Sequence, residues 1–170
     1  MDGWLQAIGE VPAVLVTVAT VEGSGPREPG AKMLVTPSRV ADTIGGGHLE
    51  HRAIEIAREM IGAGPGNRLE RFALGPTLGQ CCGGVVHLAF EHVDGTQAAL
   101  LRLRMREDSW RIVALDGEPD AALFDGEGRL LAGSGAPAFE RWRGTHVMKD
   151  EAGRHWLVDA VFAPRAHLVL

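Results

Sequence analysis

Three glycine-rich segments, each next to a predicted β-strand, most constrain how this chain can fold. They are GSGPREPGAK (residues 23–32), TIGGGHLE (43–50) and GPTLGQCCGG (75–84). Glycine and proline interrupt strand ladders, so we interpret these segments as loops. The loops therefore divide the first half of the chain into short elements.

The elements between these loops are strands and one amphipathic helix. Residues 13–21, AVLVTVATV, are β-branched and apolar, which is typical of a strand buried on both faces. Residues 47–61 place apolar side chains at helical spacing with charged side chains opposite, which predicts a helix that ends at Gly62. The other predictions are a helix at 3–10, strands at 32–36, 39–44, 68–74, 84–93, 111–117, 121–125, 129–133 and 155–164, and a helix, rather than a strand, at 98–107. We therefore expect an α/β fold of mixed α+β layers, with a mixed β-sheet and flanking helices.

Length and charge exclude several classes of protein. The 170 residues are 45% apolar and 23% charged with a net charge of −5, as in a globular domain. No block of lysine and arginine indicates nucleic-acid binding. The first residues lack the pattern of a signal peptide, and no apolar run reaches the roughly 18 residues of a membrane span. We expect a cytoplasmic protein.

The two cysteines, Cys81 and Cys82, are adjacent in the third glycine-rich segment. A disulfide is not expected in the cytoplasm, and neighbouring cysteines bridge only through a strained ring. His87 offers a third zinc ligand, but the spacing is not that of a zinc site. Two interpretations stay open: small buried apolar residues, or thiols with a chemical role.

The segment TIGGGHLE leads a predicted strand through three glycines into the predicted helix. Such a helix start exposes N–H groups and the positive end of the helix dipole, which favours an anion site. Gly45, Gly46 and Gly47 are consecutive, unlike the spaced glycines of a dinucleotide-binding loop, and a tight turn is the alternative. We expect Glu50 to complement the dipole or to accept hydrogen bonds from the backbone there, and His48 to be a partly exposed helix-start residue.

Taken in succession, GSGPREPGAKMLVT, TIGGGHLE and LGQCCGG resemble the amino-terminal domain of the XdhC/CoxI family. These are accessory proteins of xanthine dehydrogenase and related molybdenum hydroxylases. The resemblance spans about residues 13 to 91. It implies the fold of that domain.

The resemblance also implies a function without catalytic turnover. Such a protein binds the molybdenum cofactor (molybdopterin) transiently, protects it while a cysteine desulfurase-type donor supports its sulfuration, and delivers it to an apo-hydroxylase. By this resemblance Cys82, the cysteine directly before the paired glycines, takes the main role, and Cys81 is secondary. A thiolate is a soft ligand that suits contact with the metal. The implied cofactor-binding residues are Cys82, Cys81, Gly83, Gly84, Gly45, Gly46, Gly47, Arg27 and Gln80. The alternatives are a thiol enzyme or persulfide carrier that uses both cysteines, and a domain that only mediates protein association.

The resemblance predicts where the domain ends. Residues 1–163 correspond to the amino-terminal domain, and 164–170 to the start of a Rossmann-like carboxy-terminal domain. An unpaired strand edge at 168–170 predicts a homodimer. The arginines at 102, 104 and 106 are interpreted as a solvated face, with a partner-docking stripe as the alternative.

Overall fold

The computed structural model describes residues 3–75 and 83–163 of the chain. The helices within these ranges are α1 (Gly3–Gln6), α2 (Gly47–Ala63) and α3 (Gly95–Leu103). The strands within them are β1 (Val14–Glu22), β2 (Lys32–Val35), β3 (Val40–Asp42), β4 (Arg68–Ala73), β5 (Val85–His92), β6 (Ser109–Ala114), β7 (Ala121–Asp125), β8 (Leu130–Gly133), β9 (His146–Lys149) and β10 (His155–Val161). None of the helices in the described ranges is long and apolar enough to span a membrane.

The strands form two five-stranded sheets. The first sheet has the order β3-β2-β1-β5-β4, and the second has the order β8-β7-β6-β10-β9. Every pair of described neighbouring strands is antiparallel. The predicted class of mixed α+β layers is confirmed, but two antiparallel sheets stand where a single mixed sheet was expected. Short hairpin connections account for pairs such as β7–β8, because they can join only antiparallel strands, whereas the central pairs β1–β5 and β6–β10 join strands that are not consecutive.

Side-chain alternation along β1 builds the layers. Val14, Val16 and Val18 pack with α2 in one buried cluster. Ala19, on the opposite face, packs with Val113 of the second sheet. β1 is therefore buried on both faces, as its sequence predicts, and the layer order is helix, first sheet, second sheet.

The long helix and the hairpin turns agree closely with the sequence. α2 begins at the predicted Gly47, continues two residues beyond 61, and buries the predicted apolar face, including Leu49, Ala53 and Met60. The β7–β8 turn was predicted from Asp125-Gly126. Asp125 Oδ1 accepts hydrogen bonds from the N–H groups of Glu127 and Arg129, both at 2.9 Å, and these close the turn.

The clearest differences from the predictions are in three elements. α1 ends at Gln6 rather than at residue 10, and its position depends on tertiary contacts such as the 2.7 Å hydrogen bond from Trp4 N–H to Asp42 Oδ2. α3 confirms the helix near 98–107 but spans 95–103, because the Asp94 carboxylate caps its start. β9, His146–Lys149, was not predicted, because its two apolar residues, Val147 and Met148, are adjacent and do not alternate with polar ones.

Candidate functional site

The glycine-rich segments meet at one end of the first sheet. We call residues 23–31 the first glycine loop, 43–47 the second, and 75–84 the third, of which 75, 83 and 84 are described. A Cβ atom built on Gly45 would lie 2.5 Å from Pro26 Cβ, so the second loop touches the first. A Cβ atom on Gly84 would lie 2.1 Å from the carbonyl oxygen of Ser24, so the third loop touches the first as well. The first glycine loop therefore lies between the other two.

Strand register explains this convergence. β1 ends where β5 begins, with Glu22 paired to Val85, so the first and third loops leave the sheet side by side. Leu74 N–H donates a 2.8 Å hydrogen bond to the Gly84 carbonyl, which holds the third loop to the end of β4. Gly84 packs too closely on backbone for any side chain to fit, and this is the physical reason for glycine at this position.

The second glycine loop turns the chain into α2 through three left-handed residues. Gly45, Gly46 and Gly47 have φ values of 123°, 79° and 68°. A Glu50 carboxylate oxygen accepts hydrogen bonds from Ile44 N–H at 3.0 Å and Gly46 N–H at 3.3 Å. The predicted interaction of Glu50 with the backbone at the helix start is therefore present.

This interaction limits the predicted anion site, because Glu50 already uses part of it. Thr43 Oγ1 also donates to Glu50, and it accepts the N–H of Gly45 at 3.0 Å. The N–H groups of Ile44, Gly45 and Gly46 thus point to partners within the chain. The first-turn N–H groups of α2, from Gly47 and His48 onward, have no partner within the helix and remain as anion donors.

Arg27 is the cation nearest to this helix start among the predicted site residues. It is exposed, and its Cγ lies 3.4 Å from the position of a Cβ atom on Gly45. Gly47 and His48 are also exposed. The described part of the site is consequently a surface with a guanidinium and backbone N–H groups, which suits an anion that must bind and leave.

Cys81, Cys82 and Gln80 lie outside the described residues, so their predicted roles stay predictions. The described neighbours are Gly83, which is exposed, and Gly84, which is buried. His87, the third zinc ligand considered above, has its Nδ1 atom 2.8 Å from Thr20 Oγ1. Within residues 3–75 and 83–163 no three His, Cys, Asp or Glu side chains come together as a metal site.

The arginines of the α3 region do not form the expected free face. Arg102 donates to the carbonyl oxygens of Leu5 and Ile8, and Arg104 donates to Ser109 Oγ at 3.2 Å. Arg106 is exposed. Two of the three arginines therefore hold neighbouring segments in place, which excludes a solvated stripe of three.

A group of buried charges between the two sheets was not predicted from the sequence. Asp159 is 0% exposed, with one oxygen 2.7 Å from Lys32 Nζ and the other 2.6 Å from Arg111 Nη1. Burial raises the pKa of this carboxyl, but the attraction of Lys32 and Arg111 outweighs burial, and the net pKa lies below its usual value. Arg111 also pairs with the buried Glu91. In the sequence, these are single charged residues within apolar strand segments, and that pattern indicates buried charges.

Comparisons with known proteins agree with the resemblance and with the fold. Residues 9–73 match the model of the XdhC and CoxI family, which confirms the resemblance over that range. The match includes the first two glycine loops and ends before the cysteines. No curated protein matches the chain in sequence.

A solved structure from Bacillus halodurans, described as a xanthine dehydrogenase, has the same fold. The TM-score is 0.68 at 20% sequence identity, over 94% of this chain and 51% of that one. This chain therefore spans about half the length of that protein.

Proposed function

From the match of residues 9–73 to the XdhC and CoxI family, we propose that this protein is an accessory protein of a xanthine dehydrogenase-type molybdenum hydroxylase. In this proposal it binds the molybdenum cofactor, protects it while a sulfur donor supplies the terminal sulfido ligand, and delivers it to the apo-hydroxylase. It performs no turnover of its own.

The convergence of the three glycine loops is the observation that supports the proposal most. The loops come from separate parts of the sequence, yet Pro26 packs on Gly45 and Ser24 packs on Gly84. Through these two contacts, the first glycine loop connects the segment that contains the cysteines with the segment that leads into α2. A ligand that carries both a phosphate and a thiophilic metal needs such a combination.

The described residues fit the phosphate group of this cofactor. Arg27 and the first-turn N–H groups of α2 would hold the phosphate, because both are exposed donors that favour negative charge. Glu50 opposes the phosphate electrostatically, since its carboxylate lies at the same helix start. Reversible binding is what a delivery protein requires.

The third glycine loop would provide the contacts to the metal of the cofactor. In the proposal, Cys82 contacts the metal as a thiolate and Cys81 assists, while Gln80 and Gly83 offer backbone and side-chain contacts to the ligand. When bound, the cofactor supplies the thiophilic metal for which a thiolate is suited. The exposure of Gly83 is consistent with ligand access to this loop.

The proposal is tested by cofactor retention. The 170-residue protein, Cys82→Ser and Cys81→Ser are incubated anaerobically with molybdenum cofactor, desalted, and analysed for co-eluting pterin and molybdenum. We expect near-stoichiometric retention by the natural sequence, a loss of molybdenum with Cys82→Ser, and a smaller loss with Cys81→Ser. Absence of retention by all three proteins would contradict cofactor binding.

Delivery is tested with the loaded protein and an apo-hydroxylase. We expect hydroxylase activity to appear faster with the loaded protein than with the same amount of free cofactor. An equal rate would contradict a delivery role. A sulfane-sulfur adduct on the cysteines without bound pterin would instead identify a persulfide carrier.

A further inference from the structure

A cavity lies between the two sheets, at the opposite end of β1 from the glycine loops. Its volume is about 360 Å³, and it is lined by residues that include Leu15 of β1 and Glu91 of β5. Glu22, beside the glycine loops, is seven residues further along β1, roughly 23 Å away in an extended strand. The cavity is therefore separate from the proposed cofactor site, and ligand binding there is independent of the proposed function.

Glu91 gives this cavity an unsatisfied hydrogen-bond acceptor. Its side chain lines the cavity, and the residue is only 3% exposed. One carboxylate oxygen pairs with Arg111, while Oε2 has no hydrogen-bond partner among the described residues. A buried carboxylate oxygen without a donor is energetically costly, so a donor group in the cavity would be favoured there.

The charges around the cavity favour a positive ligand. Its lining carries the carboxylates of Glu91, Asp94 and Asp120 and the guanidinium of Arg111. Asp120 is paired with Arg154 at 2.9 Å and Asp94 caps α3, so Glu91 is the carboxylate with an oxygen left without a donor among the described residues. Arg111 is already paired with Glu91 and, at 2.6 Å, with Asp159. A second anion in the cavity would meet these carboxylates without a free guanidinium to bind it.

The cavity lining also includes an aromatic side chain and a residue that connects the two sheets by hydrogen bonds. Trp4 is in the lining, and its ring lies 5.7 Å from Lys32 Nζ and 6.0 Å from the Arg111 guanidinium carbon. Asn67 joins the two sheets at the cavity: its amide donates to Ala114 O at 2.9 Å and its oxygen accepts His92 N–H at 3.0 Å. Such a site is preorganised for a small, planar molecule.

We propose that this cavity binds a small organic cation of the amidinium or amine type, with an N–H group donating to Glu91 Oε2. The volume of about 360 Å³ is in the range of small-molecule sites. The carboxylates of the lining select positive over neutral ligands, and they exclude negative ones.

Three molecules of similar shape test this proposal: benzamidine, benzamide and benzoate, which are positive, neutral and negative. The 170-residue protein is titrated with each by calorimetry. We expect benzamidine to bind about tenfold more tightly than benzamide, and benzoate not to bind. Equal binding of all three, or binding of none, would overturn the proposal.

The Glu91→Gln variant tests the contact itself. Glutamine keeps one oxygen for Arg111 but places an N–H donor in the cavity, so the preference for benzamidine over benzamide should disappear. Thr17→Val is the matched control, because Thr17 is also buried in the first sheet with an unpartnered side-chain oxygen but does not line the cavity. It should bind benzamidine as the natural sequence does. A preference retained in Glu91→Gln would contradict the assignment.

A measurement on the natural sequence keeps the test valid if Glu91→Gln does not fold. In nuclear magnetic resonance spectra, benzamidine should shift the Trp4 indole N–H and the Gln97 side-chain amide, since both residues line the cavity. The Trp156 indole, which donates to Asp150 elsewhere, should stay in place. Shifts at Trp156 without shifts at Trp4 would place the ligand outside the cavity and overturn the proposal.

Discussion

At the scale of single residues, two threonines of β1 show that the same side chain can have opposite effects on stability. Thr17 is 0% exposed, and its hydroxyl has no hydrogen-bond partner in the described part of the chain. The Thr20 hydroxyl lies 2.8 Å from His87 Nδ1. A register shift between Val18 and Thr20 separates the two positions. The stability contribution of each threonine therefore depends on its partner.

We predict that Thr17→Val increases the free energy of unfolding by about 1 kcal/mol, because it removes a desolvated hydroxyl that makes no hydrogen bond. Thr20→Val is the matched variant, and it should lower that free energy by about 1 kcal/mol through loss of the hydrogen bond to His87. Urea denaturation measures both. A loss of stability in Thr17→Val would show that its hydroxyl has a partner.

At the scale of elements, the start of α2 combines a structural and a binding function. Glu50 accepts hydrogen bonds from Ile44 and Gly46 N–H, and it thereby holds the second glycine loop against the first turn of the helix. The same carboxylate places negative charge where the proposed phosphate would bind. Stability of the helix start and affinity for the phosphate are therefore opposed at Glu50.

Glu50→Gln should increase the affinity for molybdenum cofactor by about threefold, because the glutamine keeps an acceptor oxygen but removes the negative charge. The apparent Kd is measured by anaerobic titration. Glu55→Gln is the matched control, since Glu55 lies on the same helix and pairs with Arg52 at 3.1 Å away from the loop. If both variants behave alike, or if Glu50→Gln has no effect, the phosphate does not bind at this helix start.

The contact between the first and third glycine loops predicts a second pair of variants. In Gly84→Ala the new methyl would lie 2.1 Å from Ser24 O and 2.4 Å from Glu22 O, so backbone must move. We expect a loss of about 2 kcal/mol of stability, seen as a lower Tm. In Gly83→Ala the new methyl has no atom of the described residues within 4 Å, and the variant should be nearly neutral. Equal Tm values for the two variants would contradict the packing of these loops.

At the scale of the whole molecule, buried ion pairs connect the two sheets. Lys32 and Glu91 belong to the first sheet, and Arg111 and Asp159 belong to the second. Thr145 adds a 3.0 Å hydrogen bond to Asp159. If the sheets moved apart, each of these charged side chains would lose its partner while buried. The pairs therefore oppose separation or sliding of the sheets.

The lowered pKa of Asp159 predicts the pH dependence of stability. A carboxyl whose pKa is lower in the folded than in the unfolded chain stabilises the fold above its usual pKa, and this contribution is lost as pH falls through the lowered value. Stability should therefore fall with acidification from about pH 4 downward. Urea denaturation across this range measures it.

Asp159→Asn should lose about 3–5 kcal/mol at neutral pH, because it leaves Lys32 and Arg111 buried without this carboxylate, and its acid dependence should be shallower. Asp125→Asn is the comparison: hydrogen bonds from Arg129 and Glu127 N–H lower the pKa of this carboxyl, which lies on the surface. It should lose less stability. An unchanged acid dependence in Asp159→Asn would exclude Asp159 as its cause.

The elements that were predicted correctly are those whose structure is decided by residues close together in the sequence. The apolar spacing of residues 47–61 predicted α2, and the glycines at 45–47 predicted the turn before it, because both patterns act within a few residues. The interaction of Glu50 with the loop was predictable for the same reason. The four-residue β9 and the length of α1 were not, since their positions depend on contacts with other elements.

The sequence by itself determined the buried strand β1, the amphipathic helix α2, the glycine loops beside the strands, and the family resemblance, which the family model matches over residues 9–73. Only the tertiary structure decided the division into two sheets, the packing of the first glycine loop on Gly45 and Gly84, and the cavity at Glu91. It also decided the pairing of Lys32 with Asp159, which are 127 residues apart. The physical reason is that strand pairing brings distant residues together, and a local sequence pattern contains no information about which distant strand a residue will face.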